Sequence, residues 1–392
     1  MADRIKGPPV YLDNHATTAV DSRVLQAMLP YFTERFGNPH SANHFYGWEA
    51  AEAVEVAREQ VALLIGAEPD EIFFTSGATE SNNLALKGVA RFYRGRKNHI
   101  ISCSTEHMCV LDSLFHLERE GMRVTYLTVG SDGLIDLKEL EAAITGDTVL
   151  VSIMTVQNEI GVIQPIAEIG TLCRAHGVFL HTDAAQAAAK IMLDVKAMDV
   201  DLLSLTGHKL YGPMGVGALY IGKKPRVRLE PLFSGGGQEK NIRPGTLPTP
   251  LVVGFGAACE IGRAEMDEES ARLGRLRDRL LDRINAVGGI HVNGSLAARA
   301  PGNLNVSVEG ARAEDLIAAL PDLAFSTGSA CSSVSEESSY VLRAIGVSNE
   351  RAESSLRFGL GRFTTQAEID YAADRLVGEI TAVRSRKRHA AE

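Results

Sequence analysis

The sequence predicts an α/β fold, with a large domain built on a mostly parallel seven-stranded sheet between helices and a smaller α+β domain beside it. Between about Ala50 and Gly222, short β-rich apolar runs alternate with segments whose apolar residues recur at helical spacing. After about Gly262 a long amphipathic stretch, an alternating strand and a loop of small residues replace that alternation. At 392 residues, 45% hydrophobic and 23% charged, the chain can supply two cores.

The expected strands are 71–75, 99–102, 123–127, 148–153, 178–181, 201–205 and 217–221. Intervening helices show spacings such as Ile166, Ile169, Leu172 and Cys173. In the second part, Leu273, Leu276, Leu280, Ile284 and Val287 form one stripe that Gly288 and Gly289 end. A strand with alternating Leu304, Val306 and Val308 follows, and 326–339 reads as a loop. A capping box, Thr365 to Glu368, starts a last helix carrying Ile369, Leu376, Ile380 and Val383 on one face. Residues 16–262 are therefore assigned to the large domain. The small domain takes 1–15 and 263–392, including the cysteine loop at about 326–339.

Composition narrows the function classes. A formal net charge of -9 argues against nucleic acid as a partner. The basic cluster 384–388 reads as a solvated tail. No apolar run reaches the roughly 20 residues needed to cross a bilayer. Residues 1–9 lack a signal-peptide core, so a cytoplasmic location is expected. Five scattered cysteines with no CxxC pair suit free thiols in a reducing compartment, without a structural zinc.

Ligands of such sheets bind beyond the carboxyl ends of the strands, and that is where the chemistry-bearing residues fall. Thr75-Ser-Gly-Ala-Thr-Glu80 joins a strand to a helix start, where free backbone N–H groups suit a phosphate or an ordinary N-cap. Asp183 and Lys209 each follow an apolar strand. They suit a strand-end ion pair, or a Schiff-base lysine with a carboxylate that keeps a pyridine nitrogen protonated. His107 follows another strand and can stack on a ring, move protons or cap a helix. Asn158 lies after the next. Cys331 sits among Gly, Ser and Ala, unlike a core cysteine, which predicts an exposed and mobile thiol. With a reference pKa of about 8.5, that thiol needs a proton acceptor or a positive charge during attack, and His107 is the candidate. Arg357 suits a carboxylate clamp or a surface salt bridge.

These stretches together resemble the cysteine desulfurases of the NifS/IscS type, members of the class-V aminotransferase family with the pyridoxal 5'-phosphate (PLP) fold-type I. The likeness runs through Tyr11-Leu-Asp-Asn-His-Ala-Thr-Thr18, Phe36-Gly-Asn-Pro39, Thr75 to Glu80, Thr105-Glu-His107, Asn158-Glu-Ile-Gly161, Asp183 to Gln186, Gly207-His-Lys209 to Pro213, Arg243-Pro-Gly-Thr246, Gly328-Ser-Ala-Cys331 and Leu356-Arg-Phe358. It implies that Lys209 bonds PLP, that Cys331 forms a persulfide, and that His107 stacks on the ring as acid/base. Ala78, Thr79, Thr206 and His208 would contact phosphate and cofactor, Asp183 the pyridine nitrogen and Gln186 the ring hydroxyl. Asn158 would contact the cofactor and, with Arg357, bind the substrate carboxylate. Thr246 would reach the phosphate of a neighbouring subunit, which implies a homodimer.

The implied activity removes sulfur from L-cysteine, giving L-alanine and a Cys331 persulfide for an acceptor or iron–sulfur scaffold protein. No resident metal is implied, although the persulfide can serve as a transient iron–sulfur ligand. A selenocysteine lyase, a PLP aminotransferase and a sulfur carrier active only with a partner are the competing readings. Pro244 and His15 depart from common family versions. The chain also ends at Glu392 without the extended tail that some relatives use to dock a scaffold, which puts such docking in doubt.

Overall fold

The computed structural model describes residues 9–327 and 339–391. All seven expected strands are present, each within two residues of its expected ends: β1 (Ile72–Thr75), β2 (His99–Cys103), β3 (Arg123–Leu127), β4 (Thr148–Ser152), β5 (Phe179–Asp183), β6 (Leu202–Thr206) and β7 (Gly217–Ile221). They form one sheet in the order β1-β7-β6-β5-β4-β2-β3. Only β7 runs antiparallel to its neighbours. The carboxyl ends of the other six therefore share one edge.

Continuous apolar runs suit these strands because both faces are covered. Ile100, Leu150 and Leu202 point into one core, which they share with α2 (Ala78–Tyr93) and α3 (Met108–Arg119). Their neighbours Ile101, Val151 and Leu203 point the opposite way, toward α1 (Phe45–Ile65) and α4 (Ile166–His176). Helices α1 and α4 stop at Gly66 and Gly177, both left-handed, where a side chain would be strained.

A separate core lies under an antiparallel sheet of β8 (Ile290–Val292), β9 (Asn303–Val308), β10 (Ser326–Thr327) and β11 (Ser355–Gly359), in the order β10-β11-β9-β8. The stripe Leu273, Leu276, Leu280 and Ile284 packs there with Leu304, Val306, Val308, Ile369, Leu376 and Ile380. Val10 and Leu12 join it from the far end of the sequence. The long helix α5 (Thr249–Asn285) serves both cores, with Val252, Phe255 and Cys259 in the first and Leu273 to Ile284 in the second. It starts well before the amphipathic stretch that announces it.

Two local expectations are corrected. Ser326 and Thr327 are not loop but β10, paired with Arg357 and Leu356. Residues 384–388 continue the last helix, α6 (Gln366–Ala391), with 385–387 exposed, so the cluster is solvated but helical rather than a tail. Arg384 donates to the carbonyls of Val287, Gly288 and Glu309 at 2.8 to 3.0 Å, satisfying backbone acceptors just beyond α5 and β9. The expected capping box is present: Thr365 and Glu368 exchange side-chain-to-backbone bonds.

Gly217 pairs with Thr75 on one side and Thr206 on the other, so the two strand ends approach each other across it. A Cβ there would lie 2.3 Å from Leu205 O and 2.7 Å from Gly77 Cα. Gly217→Ala is therefore expected to lower unfolding free energy by about 1–3 kcal/mol. Urea denaturation checks this, and an unchanged midpoint would contradict the close packing.

Candidate active site

The carboxyl ends of β1, β2, β5 and β6 open onto a cavity of 640 Å³, and each delivers a different chemical group to it. At β1, Gly77 turns the chain with φ +147 into α2, whose first residues Ala78 and Thr79 line the wall. No side chain caps this helix start, so its dipole and N–H groups favour an anion. The one acidic residue in its first turn, Glu80, is bound by Arg243 at 2.8 Å and by Ser76 N at 2.7 Å.

Asp183 ends β5. Its carboxylate accepts from Asn82 Nδ2 at 2.6 Å and from Ala185 N at 2.9 Å, which fixes its orientation. Beyond β6 come Thr206, His208 and Lys209, all on the cavity wall. Lys209 Nζ donates to His15 O and, at 2.7 Å, to Ala16 O. His208 Nδ1 meets Thr17 Oγ1 at 3.1 Å. Burial, aided by the charges of Lys209 and Lys190, pulls the His208 imidazole down to about 4, so it stays neutral.

His107, beyond β2, both caps α3 and lines the cavity. Its Nδ1 accepts from Cys109 N at 3.2 Å, which places the proton of the neutral ring on Nε2. Cys109 Sγ lies 3.1 Å from the same Nδ1. Asn158 is buried on the wall, and its carbonyl accepts from Arg357. Arg357, at the centre of β11, is 1% exposed and no surface residue. Asp13 holds its Nη2 at 2.8 Å, while its Nε is buried with no hydrogen-bond partner among the described residues. Gln186 lines the cavity too.

The cavity thus gathers Ala78, Thr79, His107, Asn158, Asp183, Gln186, Thr206, His208, Lys209 and Arg357. Thr246 is exposed and does not line it. Cys331 lies outside the described residues. The donor set fits a ligand with three features: a phosphate at the uncapped helix start, a basic ring nitrogen for Asp183, and a carbonyl carbon within reach of the Lys209 amine. Among the described residues no helix is long and apolar enough to cross a membrane, and no cluster of metal-binding side chains occurs.

Sequence reasoning missed several residues that hold this wall. Asn82, on the inner side of α2, ties Asp183 to Cys109. Asp13 bridges Arg357 and Ser326 Oγ. Glu106 is fully buried and receives Met154 N at 2.5 Å. Burial, with Asp183 adding, raises its carboxyl well above the usual range. Glu159 accepts from Ser339 Oγ at 2.5 Å, and burial raises it to about 7 despite that bond and the nearby Arg357 and His107. The adjacent motifs hinted only at function nearby, because nothing in a lone Glu announces burial.

The folded state thus binds a proton at Glu159 that the unfolded chain releases at about 4.5. That stabilisation is complete below pH 4.5 and is lost as pH rises through about 7. Glu159→Gln removes the dependence. The variant should gain stability relative to wild type between pH 4.5 and 7.5, by on the order of 3 kcal/mol. Denaturant titrations at several pH values test this, and parallel curves would contradict it.

Comparison with known proteins agrees with the geometry. The chain is 58% identical to the mitochondrial cysteine desulfurase of Drosophila melanogaster, over 97% of its own length and 83% of that protein's. It is 55% identical to the cysteine desulfurase IscS of Rickettsia rickettsii, over 96% and 92%. A solved NifS-like protein superposes with a TM-score of 0.89 at 38% identity, covering 95% of this chain and 99% of that one. SspA in complex with cysteine superposes at 0.80 with 39% identity, covering 91% and 100%. With the model for class-V aminotransferases matching residues 10–372, the chain belongs to that family.

Proposed function

We propose that the chain is a cysteine desulfurase that uses pyridoxal 5'-phosphate and forms a persulfide on Cys331. The observation that carries this reading is the meeting of Lys209, Asp183, His107 and an uncapped helix start in one cavity. The names of its relatives and the cysteine-bound neighbour support the same substrate.

In this reading the start of α2, with Ala78, Thr79, Thr206 and His208, holds the phosphate. Asp183 would hold the ring nitrogen protonated, Gln186 would contact the ring oxygen, His107 would lie against the ring face, and Lys209 would hold the cofactor through its aldehyde carbon until the substrate amine takes its place. When bound, the cofactor supplies an electron sink for the pair left as the substrate α-proton departs. Arg357 and Asn158 would hold the substrate carboxylate, which orients the α-proton toward the amine of Lys209 once the substrate amine has replaced it. Cys331, as thiolate, attacks the substrate sulfur. An S–S bond forms as the C–S bond breaks, the electron pair stays on carbon, and protonation gives alanine. With its Nε2 proton directed by the α3 cap, His107 supplies a hydrogen-bond donor to the cavity while its ring is neutral.

Residues 16–262 then form the cofactor-binding part. Residues 1–15 and 263–392 form the part that carries the thiol. Exposed Thr246 suits a phosphate contact across a homodimer, and its loop is pinned to α2 by the Arg243–Glu80 pair. A protein acceptor, such as an iron–sulfur scaffold in the cytoplasm, would receive the sulfur.

Purified protein should take up the cofactor with a visible absorbance band and release alanine from L-cysteine. Lys209→Ala should lose that band. Cys331→Ala should keep it while alanine release falls below about one-thousandth of wild type. Undiminished alanine release by Cys331→Ala would remove the thiol from the reaction, and a colourless wild type would refute the reading.

A further inference from the structure

Behind the cavity wall lies a lysine that the reaction above does not use. Lys190 follows Asp183 by seven residues and forms no ion pair among the described residues. Its Nζ donates to Gln186 Oε1 at 3.0 Å. The same oxygen lies 3.1 Å from His15 Nδ1. Because an ammonium can only donate, the atom facing Lys190 must be the amide oxygen. His15 is buried, and burial together with the charges of Lys190 and Arg357 holds its imidazole neutral. Its Nδ1 therefore carries the proton given to Gln186.

With two donors on its oxygen, the Gln186 amide has one orientation. Its Nε2 donates one hydrogen to His15 O at 2.9 Å, and that carbonyl also receives Lys209 Nζ. The second Nε2 hydrogen remains for the cavity, which Gln186 lines. A flipped amide would set NH₂ against an ammonium and an imidazole N–H. The backbone is shaped for the arrangement as well. Ala189, the residue before Lys190, has φ +56, a left-handed conformation that strains a non-glycine residue. Such strain persists where surrounding contacts demand it.

We propose that Lys190 is a positioning residue for the cofactor, locking Gln186 so that its Nε2 donates to the anionic ring oxygen. This rests on the reading that the cavity takes pyridoxal 5'-phosphate. The charged and titratable groups around Lys190 are Lys209 and His15 on the cavity side, and Glu269 and Tyr211 around a small void behind it. Glu269 is engaged by Arg362 at 2.8 Å. Burial, with Lys209 adding and Glu269 opposing, pulls the Lys190 ammonium down to about 7, so the lock is sensitive to its surroundings near neutral pH.

The test uses full-length holoenzyme and pyridoxal 5'-phosphate itself as the probe. Lys190→Met should retain the cofactor about tenfold less tightly, the equivalent of one hydrogen bond. The pH midpoint of its visible band should rise by about one unit, because a cation near the titrating centre is gone. Lys190→Arg should recover both values in part. In a Gln186→Ala background, Lys190→Met should weaken cofactor retention no further. Wild-type affinity and midpoint in Lys190→Met would overturn the proposal, and so would fully additive losses of affinity in the double variant. Should Lys190→Met take up no cofactor, Lys190→Arg decides: a restored midpoint supports the lock and no recovery overturns it. Failure of wild type to colour at all would instead sink the cofactor reading, and this inference with it.

Discussion

Residues 12–18 cross from the small core to the edge of the large sheet, and the site depends on that crossing. Leu12 is fully buried in the small core. Asp13 neutralises Arg357, and Asn14 donates to Gly359 O at 2.8 Å. The carbonyls of His15 and Ala16 receive the amine of Lys209. Thr18 donates to His208 O and accepts from Tyr211 N, bracketing Lys209 from both sides. A lysine tip has several rotatable bonds and would otherwise sample much of a 640 Å³ cavity. Backbone carbonyls from a segment more than 190 residues away hold it in one place. Ordering two remote segments together costs chain entropy, and the buried Leu12 and the paired Asp13 offset it.

The same crossing sets the electrostatics. Arg357 and Lys209 line the cavity with Lys190 behind Gln186, while burial raises the Glu106 carboxyl well above the usual range. His15 and His208 remain neutral for the same reason. Asp183 is held by an amide and a backbone N–H, which suit a carboxylate that remains an acceptor. With Glu80 tied up by Arg243, the helix start of α2 faces the cavity without a competing anion. A site arranged in this way favours ligands with negative groups, because Arg357, Lys209 and the start of α2 face it while Glu80 and Asp183 are each held by hydrogen-bond donors.

The large sheet was legible because its strands are buried on both faces and therefore read as unbroken apolar runs between helical spacings. The groups at the strand ends were legible for a related reason. In a parallel sheet, any residue just past a strand must lie on the same edge. Arg357 was legible only through its family motif, since a single arginine in a strand could equally face solvent. What stayed hidden depends on contacts between distant segments. Helix α5 belongs to two cores, so its first half lacks the single stripe that marks its second. Ser326 and Thr327 look like loop residues, and become strand because β11 offers them backbone partners.

Asn82, Glu106, Glu159 and Lys190 share a deeper form of this difficulty. Each is polar, sits at an ordinary position in the local pattern, and takes its role from what covers it. Burial raises the two glutamates and lowers Lys190 by the same principle, favouring the uncharged form. The outcome differs because their partners differ. Glu159 receives a hydroxyl, whereas Lys190 has a neutral amide oxygen to hold and, among the described residues, no carboxylate in an ion pair with it. A half-buried cation without an ion-pair partner among the described residues is costly, so selection for stability alone would replace it with an apolar residue of similar size. Its placement against Gln186, reached through a strained Ala189, makes sense when the amide it fixes faces an anionic ligand in the cavity.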